Sequence, residues 1–127
     1  MNERRGGIVV RVEGSLLFLP AAAASRVLPL PQVTRLPGAP SNLVGLAVYD
    51  DEIVPIISIG SARGAMILCT YRGERLGLVG AEIAGTGLFD GIEGGGVELD
   101  GERAKPLDLA TICASVDGAN WAGRWGG

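Results

Sequence analysis

The spacing of short apolar runs between glycine-rich breaks constrains the fold of this chain most. The chain has 21 glycines among 127 residues, more than twice the usual share of about 7%. They follow no collagen-like period and separate apolar, often β-branched runs, such as residues 8–13 and 65–71. Because glycine supplies the backbone conformations that tight turns require, the pattern predicts many short strands joined by tight turns.

These runs predict about ten strands, with turns every eight to twelve residues or so. Residues 43–49 and 53–59 form one predicted hairpin around a charged turn, and the dipeptide Asp100-Gly101 is a strong hairpin signal. Residues 21–26 predict a short helical turn, because alanines follow Pro20 there. The chain is therefore predicted to be all-β with one or two short helices, and the strand rhythm favours small barrels.

The last predicted element is a helix over residues 107–116, with Asp108 as its N-cap. The length suits one domain over residues 1–127. Similar strand rhythms predict subdomain halves at residues 8–60 and 61–116, and residues 117–127 are expected to form a loose tail.

Catalytic and cofactor-binding motifs are absent from the sequence. The chain has no histidine, which excludes His-dependent nucleophile systems and the usual zinc and haem sites. Its one lysine, Lys105, precedes a proline in a predicted edge or loop. The glycines at 85–87 and 94–96 lack the spacing or the following residues of a phosphate-binding loop. The sequence thus predicts a protein that is not an enzyme and binds no cofactor or metal.

Charge and apolar patterning also limit the partners and the compartment. The formal net charge is −3 and no basic stripe is present, so nucleic-acid binding is not expected. The apolar stretch at residues 16–24 is too short to span a bilayer, so no membrane insertion is expected and the cytoplasm is the predicted compartment. Cys69 and Cys113 are interpreted as reduced core thiols, with a disulfide between them as the alternative.

Residues 33–59 contain a Leu-Pro-x-x-Pro loop, then a glycine-containing strand, then the run Ile-Val-Pro-Ile-Ile-Ser-Ile. This order resembles the chemotaxis coupling protein (CheW-like) family, and the similarity extends over roughly residues 8–116. The features that carry it are Leu36-Pro37, Pro40, Gly45 and residues 53–59.

The resemblance implies two small SH3-like five-stranded β-barrels that share a core. It also implies a non-catalytic signalling adaptor without a cofactor. Such an adaptor bridges two partners, the regulatory domain of a CheA-type histidine kinase and the cytoplasmic tip of a chemoreceptor.

Two positions depart from the family pattern. Asp50 stands where the family has an Arg, and Arg26 stands where relatives often have a Glu. An exchanged charge pair rejects one partner and selects another. We therefore expect Asp50→Arg, with or without Arg26→Glu, to change partner choice more than stability.

The candidate partner-binding residues, together with Arg26, form two sets. The receptor-facing set is Val33, Arg35, Leu43, Val48, Tyr49 and Asp50. The kinase-facing set is Asp50, Asp51, Glu52, Leu76 and Leu88.

Other interpretations stay open. The acidic run 50–52 fits a solvated hairpin tip as well as a partner-facing patch. The chain could be a ligand-sensing barrel that uses Trp121 and Trp125 as a lid, or an SH3-like interaction module outside chemotaxis.

Overall fold

The structure is a computed structural model that describes residues 3–117, with only the backbone given for Ser25 and Asp117. Within that range no helix is both long and apolar enough to cross a membrane. The elements are β1 Arg4–Val12, β2 Ser15–Pro20, β3 Ala24–Leu28, β4 Leu43–Tyr49, β5 Glu52–Ser58, β6 Met66–Tyr71, β7 Glu74–Val79, β8 Glu82–Gly91, a 3-10 turn Glu93–Gly95, β9 Val97–Leu99, β10 Glu102–Pro106 and α1 Leu109–Asp117.

The strands form two five-stranded sheets, and the chain crosses from one to the other and back. The first is a closed barrel in the order β1-β2-β10-β9-β8. The second, in the order β3-β6-β7-β5-β4, is built from the middle of the chain. The outer edge of β4 is bridged by Thr34, which pairs with Leu46. The prediction of an all-β chain with small five-stranded barrels is confirmed.

The predicted halves at residues 8–60 and 61–116 are wrong. The barrel joins the first two strands to the last three through the antiparallel pair of β1 with β8 and the parallel pair of β2 with β10, in which Leu17 lies opposite Lys105. The spacing of apolar runs and turns predicts the individual hairpins correctly. Because such long-range pairing depends on tertiary packing, the strand rhythm alone does not reveal which hairpins share a barrel.

The predicted helical turn at residues 21–26 is also wrong, since Ala24–Leu28 is strand β3. Ala24 pairs with Cys69 of β6, and its side chain is buried in the core. Tertiary pairing here overrides the helix propensity of alanine. The C-terminal helix is confirmed: the Asp108 carboxylate accepts hydrogen bonds from the backbone N and the Oγ1 of Thr111, at 3.2 and 2.6 Å. The hydroxyl bond is the main cause that lowers the pKa of Asp108.

The two barrels share a core because several strands are buried on both faces. In β1, Val9 faces the interior of the first barrel, whereas Ile8 and Val10 join the cluster between the barrels. In β5, Ile56 faces the interior of the second sheet and Ile57 joins the same shared cluster. This alternation follows from the two-residue period of a strand.

The crossover from β7 to the first barrel packs closely against the loop after β5. Ile59 and Ala62 donate backbone hydrogen bonds to the carbonyl oxygens of Val79 and Gly80, at 2.9 and 3.1 Å. Gly80 has φ +95°, and a Cβ placed on it would collide with the backbone of Gly60. Glycine is therefore required at position 80 for both conformation and space.

Replacing Gly80 by alanine should destabilise the fold more than the same change at Gly101. Both residues have positive φ, but a Cβ on Gly101 meets no heavy atom within 4 Å. We expect Gly101→Ala to cost about 1 kcal/mol from backbone strain alone. Gly80→Ala should cost about 2 kcal/mol more, because the backbone must also move apart. Urea unfolding measures both free energies, and equal losses would show that the close contact contributes nothing.

Cys69 and Cys113 are not joined by a disulfide, and Cys69 is fully buried between β3 and β7. Burial raises the pKa of the Cys69 thiol to about 12, with a smaller contribution from Cys113. Because the thiolate is the reactive form, native Cys69 is expected to be chemically inert.

A thiol reagent at about pH 8 should therefore react with Cys69 only after the chain unfolds. In a Cys113→Ser variant, which leaves Cys69 as the one thiol, the native rate should be roughly a thousandfold below the denatured rate. Absorbance of the released chromophore gives the native and the denatured reaction rates. The Cys69→Ser variant, which keeps Cys113 as its one thiol, is the control and gives the rate of a half-buried thiol. Similar native and denatured rates would contradict the buried placement.

Candidate functional site

The hairpin of β4 and β5 ends in a strained acidic turn. Asp50 and Asp51 have φ angles of 50° and 62°, the type I′ arrangement that favours glycine. The comparable turns at residues 13–14, 72–73 and 100–101 all carry glycine at the second position. Because Asp51 lacks that freedom, this turn keeps a negative charge at some cost in backbone strain.

Two apolar side chains are exposed beside the acidic turn. Val48 and Ile53 lie directly opposite each other across the hairpin, and they are 69% and 53% exposed. Cross-strand neighbours lie close enough to act as one surface. The hairpin therefore presents a small apolar face next to its charged tip.

On the opposite face of the hairpin, Tyr49 contacts two arginines. Arg26 Nη1 donates to the Tyr49 hydroxyl at 2.9 Å, and the Arg75 guanidinium lies 5.8 Å from the centre of the Tyr49 ring. Arg75 also pairs with Asp50 at 3.5 Å and with Glu52 at 3.9 Å. These contacts join β3, β7 and the hairpin. The end of the hairpin, with both of its faces, is called here the tip surface. Its members are Arg26, Val48, Tyr49, Asp50, Asp51, Glu52, Ile53 and Arg75.

Arg26 and Asp50, the two positions that depart from the family pattern, have different partners. Arg26 contacts the hairpin through the hydroxyl of Tyr49, while Asp50 takes Arg75 as its cation. Arg75 was missed because its position beside the turn depends on the parallel pairing of β5 with β7. Ile53 was also missed, although it alternates with Val54, whose side chain is buried, and that pattern could have placed it outside.

Two predicted contact residues are core residues and are corrected. Leu43 and Leu76 are 5% and 4% exposed, and both belong to the cluster between the barrels. Leu88 is exposed, but it lies on β8 of the first barrel, opposite Gly6, and so is not part of the tip surface. Arg35 is exposed. Val33 is half-buried and packs against the second-sheet core.

A groove of about 450 Å³ lies between the barrels beside the start of α1. Its apolar lining is Val12, Leu17, Ile59, Pro106, Leu107 and Ile112, and its polar lining is Asn42, Ser58, Asp108 and Thr111. The polar groups already have partners: Asn42 donates to Ser115, Ser58 to the Gly60 carbonyl and Thr111 to Asp108. The predicted receptor-facing residues do not line this groove. Trp121 and Trp125, the proposed lid, lie outside the described residues.

Over residues 3–117 no three His, Cys, Asp or Glu side chains converge as metal ligands would. The acidic turn is instead engaged with Arg75 through two of its three carboxylates. The groups at the tip surface can thus form ion pairs, hydrogen bonds and apolar contacts with another molecule.

A closed five-stranded barrel and a second five-stranded sheet that shares its core define an all-β domain of the SH3-like double-barrel class. Residues 6–65 match the model of the CheW-like domain. The fold also matches the crystal structure of the scaffolding protein TtCheW from Thermoanaerobacter tengcongensis, with TM-score 0.66, 15% identity and 86% of each chain covered. No curated protein gave a significant match. Both matches support the resemblance to the CheW-like domain family that the sequence indicated.

Replacing Asp51 by glycine should stabilise the protein. The φ of Asp51 is 62°, a region that glycine adopts without steric cost, so we expect a gain of about 0.5 kcal/mol or more. Urea unfolding measures it, and Asp51→Asn separates the loss of charge from the relief of strain. A stability equal to or below that of the wild type would mean that the turn is not strained.

Proposed function

We propose that this protein is a non-catalytic signalling adaptor that couples a chemoreceptor to a CheA-type histidine kinase in the cytoplasm. The proposal rests on the CheW-like match together with the tip surface. Above all it rests on the exposed apolar pair of Val48 and Ile53 beside charged groups. An apolar centre with a polar rim is the composition of a protein-binding surface.

The strands that carry this surface support a role in which partners are held at fixed positions. The hairpin is anchored through Val54 and Ile56, which are fully buried in the second-sheet core. Arg26 and Arg75 tie its tip to neighbouring strands. A preorganised surface loses little conformational entropy on binding, which favours a scaffold function.

The groove between the barrels supports a second contact, with the receptor. It is open, largely apolar and bordered by α1 and by the ends of β1, β2, β5 and β10. Apolar grooves bind helices through side chains spaced along one helix face. The cytoplasmic tip of a chemoreceptor, if it presents such a helix, is the partner that we assign to this groove. A groove and a separate hairpin tip allow one adaptor to hold two partners together.

Binding to both partners tests this proposal. The purified chain is titrated calorimetrically with the regulatory domain of the CheA-type kinase, and separately with a cytoplasmic receptor fragment, both from the same cell. We expect each pair to bind with a dissociation constant on the order of micromolar, and the three proteins to co-elute as one complex. A histidine kinase without a CheW-like regulatory domain is the control. Failure of either titration would refute the coupling role.

A further inference from the structure

The groove between the barrels is an apolar site with one charge. Its six apolar side chains are half-buried or exposed, and its volume of about 450 Å³ falls within the roughly 300–1,000 Å³ of sites that hold small organic groups. Of the lining residues, all drawn from residues 3–117, Asp108 alone carries a charge. The hydrogen bonds that its carboxylate accepts from Thr111 favour the ionised form. An occupant of this groove therefore needs apolar side chains and one cation.

The chain that follows α1 has this composition. Residues 118–127 contain both tryptophans of the protein, Trp121 and Trp125, among glycines, alanines and one asparagine. The one charged side chain of the segment is that of Arg124. A tryptophan ring carries a large apolar surface, which the small residues beside it cannot cover. The segment thus offers two apolar rings and one cation, and the groove offers an apolar lining and one anion.

The segment also starts near the groove. α1 ends at Asp117, six residues after Thr111, which corresponds to about 9 Å along the helix axis. Four residues of extended chain span up to about 14 Å, so Trp121 reaches the groove if the chain turns back beside α1. Gly118 comes directly after the helix, and glycine at that position favours the left-handed conformation that ends a helix and redirects the chain.

We propose that residues 118–127 fold back along α1 and dock in the groove, with the tryptophan rings on its apolar lining and Arg124 paired with Asp108. Because the contact lies within one chain, the short connection holds the segment at an effective concentration on the order of millimolar, which populates even a weak contact. The receptor helix is assigned to the same groove, so the docked segment is an autoinhibitory element that has to leave before that helix binds. This last consequence rests on the proposed adaptor function, whereas the docking itself does not.

Tryptophan fluorescence tests the docking, because both tryptophans of the protein lie in this segment. The emission spectrum and its quenching by acrylamide are measured for the full chain, native and unfolded in urea. A docked indole ring is shielded from water and from the quencher, so we expect native emission at shorter wavelength, and weaker quenching, than in urea. Both should stay unchanged when the protein is diluted about tenfold, because an intramolecular contact does not depend on protein concentration.

Matched variants locate the docking site. Ile112 lines the groove, whereas Ala110 is exposed on the same helix and does not line it. Ile112→Glu should move the native emission towards that in urea, and Ala110→Glu should leave it unchanged. Asp108→Asn keeps a good N-cap but removes the charge. This variant and Arg124→Gln should each strengthen quenching, with no further increase when they are combined. Circular dichroism verifies that every variant stays folded.

Removal of the two rings should open the groove. In the full chain with Trp121→Ser and Trp125→Ser, the receptor fragment should bind about tenfold more tightly than in the wild type. The reason is that a segment docked about nine-tenths of the time lowers the apparent affinity of a competing ligand by that factor. Calorimetric titration measures both dissociation constants.

The outcomes separate this inference from the adaptor function. Native emission equal to that in urea, or dependent on protein concentration, would show that the segment does not dock within its own chain. Equal effects of Ile112→Glu and Ala110→Glu would place the segment elsewhere and overturn the inference as well. If the fluorescence results hold but the receptor fragment binds neither the wild type nor the tryptophan-free variant, the adaptor function fails and the docking stands. If the fragment binds both equally well, the autoinhibitory role is wrong.

Discussion

The structure depends on strands that pack against two cores at once. In β1, Val9 and Val10 are both completely buried, one inside the first barrel and the other between the barrels. A strand with one face in water would leave one of these sites exposed. Because neither barrel alone is large enough to bury much apolar surface, the shared cluster stabilises both. The relative position of the barrels, and hence of the surfaces that they carry, follows from this packing.

The interleaved topology strengthens the same junction. The first barrel needs both ends of the described chain, since β1 and β2 close against β8, β9 and β10. The second sheet is inserted between them, and the chain returns to the first barrel at Gly80, whose backbone touches that of Gly60 in the loop after β5. Glu13 adds a polar contact, accepting hydrogen bonds from the backbone N and Oγ of Ser61. Such an insertion makes independent movement of the two barrels costly, which suits a scaffold.

The tip surface carries exposed apolar side chains and a strained turn, which by themselves do not stabilise the fold. Val48 and Ile53 expose apolar area, and Asp51 adopts a backbone conformation better suited to glycine. Neither feature favours folding of the isolated chain, and strained residues and exposed apolar patches tend to occur at functional sites. The buried base of the hairpin, at Val54 and Ile56, allows the tip to keep them.

The sequence alone determined the strand content, the tight turns, the capped helix after Asp108 and the family resemblance. These features depend on local patterns: apolar runs, glycines at turns and a capping carboxylate. The acidic hairpin tip and the exposed position of Val48 were also predicted from the sequence, whereas Tyr49 is half-buried. Only the tertiary structure decided that β1 and β2 share a barrel with β8–β10, that Ala24 lies in a strand, and that Leu43 and Leu76 are buried. It also decided that Arg75 neutralises Asp50. These features join residues far apart in the chain, so they follow from packing between strands and leave no local pattern to read.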